Sequence, residues 1–131
     1  MYKERGEDVS KLAVVASTVS SKFMKKMAEV EGFRFEEVLT GHKWIANKAI
    51  ELDHSGFRTF FSYEEAIGFC VGDLVRDKDG VTAGSVMAQL YAVLCEKGKT
   101  MCEYLQDIYK KYGYFVTKNH YFINYDKSKM T

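Results

Sequence analysis

An α/β layered domain, with a small, mainly parallel sheet flanked by helices in three layers, is predicted by three observations. Short apolar runs at 11–18, 33–40 and 57–63 have the length and composition of strands. Between them, apolar residues recur at helical spacing, so strands and helices alternate as parallel crossover units require. Two further segments, opening at Asp79 and Thr100, then carry helix-start signals.

The first run, "KLAVVAST", is valine-rich and apolar throughout, which suits a strand buried on both faces. Ser20 or Ser21 is expected to cap the helix that follows, in which Phe23, Met27 and Val30 share a face and Gly32 is the stop. "FRFEEVLT" alternates apolar and polar residues as a second strand and ends at Thr40-Gly41. Ile45, Ala49 and Leu52 then form a helical stripe, and "FRTFFSY" is the third strand. Asp79 heads a helix whose expected apolar face is Val86, Leu90, Val93 and Leu94. Thr100 and Glu103 form a capping-box pattern before a last helix, buried through Leu105, Ile108, Tyr109 and Tyr112 and ended by Gly113. The aromatic runs of "YFVTKNHYFI" predict a hairpin or a final edge strand. One domain is expected over 11–124, with an N-terminal extension at 1–10 and a polar, flexible tail at 125–131.

Composition excludes several classes of function. A net charge of +1 gives no field to draw nucleic acid or an anionic membrane. No apolar run reaches the length of a bilayer span, and "MYKERGEDVSK" is too polar for a signal peptide. Cys70, Cys95 and Cys102 are odd in number and lack paired spacing, which suits a reducing compartment; a cytoplasmic location is expected. Proline is absent, so glycine, serine and asparagine supply the chain breaks.

Most motif-like strings fail on spacing. "EKGKT" resembles the end of a phosphate-binding loop, but Val93 stands where that motif needs glycine, and a helix precedes it instead of a strand. "DKDG" in a calcium loop would put Val75 and Val86 at ligand positions. His42, His54 and His120 form no metal-ligand pattern and read as ordinary histidines. The tyrosines at 91, 104, 109, 112 and 114 match packing positions better than a base-stacking platform.

Glu64 and Glu65 are different, because they follow the third strand on what reads as a short loop. The carboxyl ends of parallel strands gather on one rim, which is where ligands of such sheets bind. That rule places Thr40, Lys43, Glu64 and Lys78 near one another. A carboxylate bridges neighbouring sugar hydroxyls and a lysine meets a phosphate, so the set suggests a phosphorylated polyol. A solvated glutamate pair is the plainer alternative.

The ordered strings "ASTVSSKFMKKMAEVEGFRFEEVLTGHKWIANKA", "FSYEEAIGF" and "VRDKDGVTAGSVMAQL" resemble the third domain of the α-D-phosphohexomutases, nearest the phosphoglucomutase-2 and phosphopentomutase branch. The likeness covers about residues 11–123. It implies one quarter of a four-domain enzyme that moves a phosphoryl group between C1 and the terminal hydroxyl of a sugar through a bisphosphate intermediate. By the same resemblance, Glu64 matches the sugar-hydroxyl acceptor and Thr40 a substrate-contacting threonine. Lys78 matches a lysine at the substrate's reactive end, and Lys43 is a further candidate from the Thr40 segment.

Two positions depart from the pattern. Ala66 replaces a serine found in many hexose-specific members, which agrees with pentose use, and His42 replaces an aromatic apolar residue. The serine loop, the magnesium-binding aspartate loop and the phosphate loop of the family do not occur in these 131 residues. The expectation is therefore an inactive chain with no catalytic residue, metal or cofactor of its own. Magnesium and a sugar bisphosphate are implied for the parent enzyme. The expected partners are sugar phosphates of the glucose 1-phosphate and ribose 1-phosphate class, together with the parent's other domains. A non-catalytic α/β binding or interaction module on the same scaffold is the rival reading.

Overall fold

The structure is a computed structural model and describes residues 6–120 together with Ile123, Tyr125, Asp126 and Ser128. Its elements run β1 (Leu12–Ser17), α1 (Phe23–Glu31), β2 (Arg34–Val38), α2 (His42–His54), β3 (Arg58–Glu64), β4 (Gly68–Val71), α3 (Gly80–Glu96) and α4 (Met101–Tyr112).

The sheet has the order β2-β1-β3-β4. β1 pairs in parallel with both β2 and β3, and β4 adds antiparallel to β3. All six residues of β1 are buried, as a central strand covered on both faces must be. The crossover through α1 moves the chain to one side of β1 and the crossover through α2 moves it to the other. Because such crossovers are right-handed, the two helices lie on opposite faces. α2 packs on β1 and β3, with Ala13, Val15, Ile45, Ala49 and Leu52 as a closed core. On the other face α1 lies against β2 and α3 against β4, and α4 touches both helices. The expected three-layer α/β fold is the observed one.

Several boundaries differ from the sequence reading. α1 starts behind Lys22, which makes no side-chain cap; Ser21 Oγ accepts from the Phe23 N–H at 3.2 Å, while Ser20 turns inward to Ser17. Gly32 ends the helix in the left-handed conformation, as expected. β4 is not legible in the sequence because "GFCV" is only four residues long and sits directly against the glutamate pair. The expected aromatic hairpin is absent over the described residues 113–120, which form no strand; Phe115 and Tyr114 instead pack edge-on against Phe23 and Tyr109. Tyr121 and Phe122 of that segment lie outside the described residues.

The helix faces are the larger correction. In α3 only Leu94 is buried, whereas Val86 and Val93 are exposed and Leu90 is half-covered. α4 has its capping box and no fully buried residue: Leu105 is exposed, and Ile108, Tyr109 and Tyr112 are half-covered. Spacing identifies the apolar stripes correctly but gives no information on whether this chain supplies anything to cover them.

Candidate functional site

The carboxyl ends of β1, β2 and β3 lie on one rim, because those strands run parallel. Each end delivers part of a polar cluster. β1 brings Ser17, whose hydroxyl is 2.8 Å from Ser20 Oγ and donates to Glu65 Oε2 at 3.2 Å. Glu65 is therefore tied to the neighbouring strand, not left solvated.

β3 brings Glu64, which is the last residue of the strand and pairs with Gly68 across the hairpin. The three residues between them form a tight turn in which Ile67 has φ of 65°. A β-branched residue is strongly disfavoured there, where a glycine is the usual occupant. Sequence alone puts both glutamates on a loop; Glu64 in fact belongs to the strand, and its position is fixed by the ladder.

Lys78 reaches the rim from the loop between β4 and α3. Three contacts hold that loop. Cys70 Sγ donates to Val75 O at 3.0 Å, Arg76 pairs with Asp53, and the Asp79 N–H donates to Phe69 O at 2.8 Å. Asp53 is itself held, since its other oxygen accepts from the Thr59 N–H at 2.7 Å. Asp79 also caps α3 through the Val81 and Thr82 N–H groups, so the lysine precedes a fixed helix start.

Glu64 and Lys78 converge on Gly68. A Cβ on that glycine would lie 2.7 Å from Glu64 Oε1 and 2.7 Å from Lys78 Cδ. Gly68 is buried in ordinary extended structure, so what glycine provides here is room for two side chains and not a special dihedral angle. Lys78 Nζ is also 3.1 Å from Asp77 Oδ1, and the Lys78 contacts, its backbone N–H first, hold the Asp77 carboxyl below its ordinary range.

β2 leads through Thr40 and Gly41 into α2, whose first turn has no side-chain cap. Its N–H groups face the rim, the usual geometry for an anion at a helix start. A shallow pocket of about 370 Å³ opens there, lined in part by Gly41, His42, Lys43, Arg76 and Lys78. Lys43 also lies 5.3 Å from the Trp44 ring centroid. Thr40 is exposed at the bend just before the pocket and does not line it. Of the four sequence-predicted residues, Glu64 and Lys78 both reach the space over Gly68, Lys43 shares a pocket with Lys78, and Thr40 stands beside them.

His42 reads as an ordinary histidine in the sequence, and the structure makes it a site residue. It is only 7% exposed, yet neither ring nitrogen has a hydrogen-bond partner. Burial holds its pKa below the ordinary value and Lys78 adds to this, while Asp77 and Glu64 oppose it. A signal is present in the sequence. His42 extends the stripe of Ile45, Ala49 and Leu52 one turn backward and so has to face inward. No cluster of three or more histidine, cysteine or acidic side chains able to hold a metal occurs among the described residues.

The family model described as phosphoglucomutase/phosphomannomutase, alpha/beta/alpha domain III, matches residues 1–112. The chain belongs to that family. It is 44% identical over 124 residues to the human glucose 1,6-bisphosphate synthase, covering 95% of this chain and 20% of that protein. It is 43% identical over 129 residues to the human phosphopentomutase, covering 96% and 21%. A solved chain described as a putative phosphomannomutase of Thermus thermophilus superposes with a TM-score of 0.66 at 20% identity, over 86% of this chain and 23% of its own. That likeness supports the α/β domain fold. The phosphohexomutase domain thus spans about one fifth of the length of the curated relatives it matches.

Proposed function

We propose that this domain is the sugar-binding wall of a phosphohexomutase of the phosphopentomutase and phosphoglucomutase-2 type. In that reading the parent enzyme interconverts 1-phospho and 5- or 6-phospho sugars through a bisphosphate. One observation carries the proposal: Glu64 and Lys78, from different segments, share the space over Gly68 on the rim where the three parallel strands end.

The chemistry follows from the side chains. The Glu64 carboxylate accepts from two adjacent hydroxyls and is indifferent to which pair it holds. That tolerance is what a ligand bound in two orientations requires. Lys78, Lys43 and the uncapped start of α2 offer positive charge and N–H donors to a phosphoryl group beside it. Thr40 supplies a hydroxyl at the edge of the same pocket. Ala66, exposed in the hairpin turn, offers no hydroxyl, which favours a shorter sugar. One wall of a cleft makes few contacts, so the chain alone binds weakly and turns nothing over. Phosphoryl transfer, and the magnesium that serves it, belong to other parts of the parent.

Glu64→Gln in the parent enzyme tests the reading. The loss of a charged acceptor from the sugar is expected to lower kcat/KM at least about tenfold, the scale of one charge-assisted hydrogen bond. Unchanged kinetics would remove Glu64 from the site.

A further inference from the structure

α3 has a composition at odds with its surroundings. From Gly80 to Cys95 it contains no charged residue, in a chain that is 28% charged. A helix without a charged face belongs in an interior. Yet Val81 is 81% exposed, Tyr91 57% and Met87 53%. α4 is equally uncovered, but it carries Glu103, Asp107, Lys110 and Lys111 and so suits solvent.

The sheet beneath α3 is also unfinished. An open apolar groove of about 680 Å³ runs between Phe60, Phe61 and Phe69 on the sheet and Gly84, Met87 and Leu90 on the helix. Gly84 adds an independent signal. Glycine inside a helix is destabilising relative to alanine. Here nothing beyond its chain neighbours and the helix's own backbone lies within 4 Å of where its Cβ would be, so packing within the described residues gives glycine no purpose. A close approach by something outside them would. With Gly80, Ala83 and Ala88 beside it, α3 presents a small-residue surface that admits another backbone at short range.

We infer that α3 and the groove beside it form an interface with another segment of the parent polypeptide, one presenting an uncharged, apolar helix or sheet face. The occupant in cis follows from length: relatives 43–44% identical across this domain are about five times longer. A bilayer is disfavoured, since helices that lie on membranes carry a strongly charged face and α3 has none. The inference rests on the reading of the chain as one domain of a longer enzyme and adds the surface by which it is held.

The test is hydrogen–deuterium exchange of the α3 amides, compared between the 131-residue chain and the parent polypeptide encoded by its gene. Exchange over residues 83–91 is expected to slow about tenfold or more in the parent, as opening becomes coupled to a larger unit. Gly84→Gln and Met87→Lys should not lower the melting temperature of the short chain by more than about 2 °C, because both sites are open, and Gly84→Gln should raise it by removing a helical glycine. In the parent both should abolish that protection. Equal exchange in the two proteins would overturn the inference. So would full protection of α3 in the short chain by dimerisation, or a reading frame confined to these residues. Sugar-phosphate mutase activity of the parent is assayed alongside. Activity with α3 unprotected defeats the interface alone, whereas α3 protected in an inactive parent defeats the functional reading alone.

Discussion

Glu64 and Lys78 occupy the volume that a side chain on Gly68 would need, each with an atom 2.7 Å from the absent Cβ. Both side chains would have to move, Glu64 from its Cγ at 2.9 Å outward, so the fold can absorb a methyl group only by rearranging the site. Gly68→Ala should therefore cost about 1–2 kcal/mol of stability by mild overpacking. The same change should displace the carboxylate or the ammonium and raise the parent enzyme's KM by a larger factor than the stability loss explains. Denaturant unfolding of the chain and steady-state kinetics of the parent check the two halves.

The loop that carries Lys78 depends on a strut from Arg76 to Asp53, both partly buried. Asp53 also holds the Thr59 N–H. Arg76→Ala is expected to destabilise by about 1–2 kcal/mol, less than a fully buried pair would lose, because water still reaches both groups. Arg76→Lys should recover part of this. Chemical denaturation of the three proteins, with backbone amide spectra reporting on residues 73–79, tests the strut.

Ile67 holds φ of 65° while its side chain is 79% exposed. The left-handed conformation costs a non-glycine residue about 1–2 kcal/mol, and little packing offsets it here. Ile67→Gly removes that strain but adds glycine's unfolded-state entropy of about 0.5–1 kcal/mol. A net gain of up to about 1 kcal/mol follows for the short chain. A rise in melting temperature is the expected result.

Protonation of His42 is opposed by burial first and by Lys78 second. Its folded pKa thus lies below its ordinary value of 6.5, and the unfolded chain binds the proton more readily. Stability is fully present above that ordinary value and is lost as pH falls toward the depressed folded one. The carboxyls of Asp77, Asp79 and Asp107 are also held low and act in the same direction, but at more acidic pH. Unfolding free energy should therefore decline as pH falls through and below 6.5, and His42→Phe should flatten that slope. A slope unchanged by the substitution would assign it to other groups.

Much of this is legible from local chemistry. The strands at 11–18, 33–40 and 57–63, the caps at Asp79 and Thr100 and the stop at Gly32 each follow from residues within one turn of the feature. The rim is legible too, because parallel strands leave no choice about where their carboxyl ends go. The missing information is tertiary. β4 is defined by pairing with β3 and not by its own four residues. The contact at Gly68 joins residues well separated in the chain, through a loop whose anchors, Asp53 and Phe69, no local pattern reveals. The apolar stripe of α3 is evident in the sequence, but its burial depends on a partner surface that a stripe cannot supply.

The central claim is that this rim recognises a phosphorylated sugar. Titrating the isotope-labelled chain with ribose 1-phosphate and glucose 1-phosphate, while following backbone amide shifts, tests it most directly. The predicted result is a set of shifts confined to residues 40–43, 64–68 and 78, saturating at millimolar ligand and earlier for the pentose. Shifts scattered over other surfaces, or none at those residues up to that concentration, would contradict it.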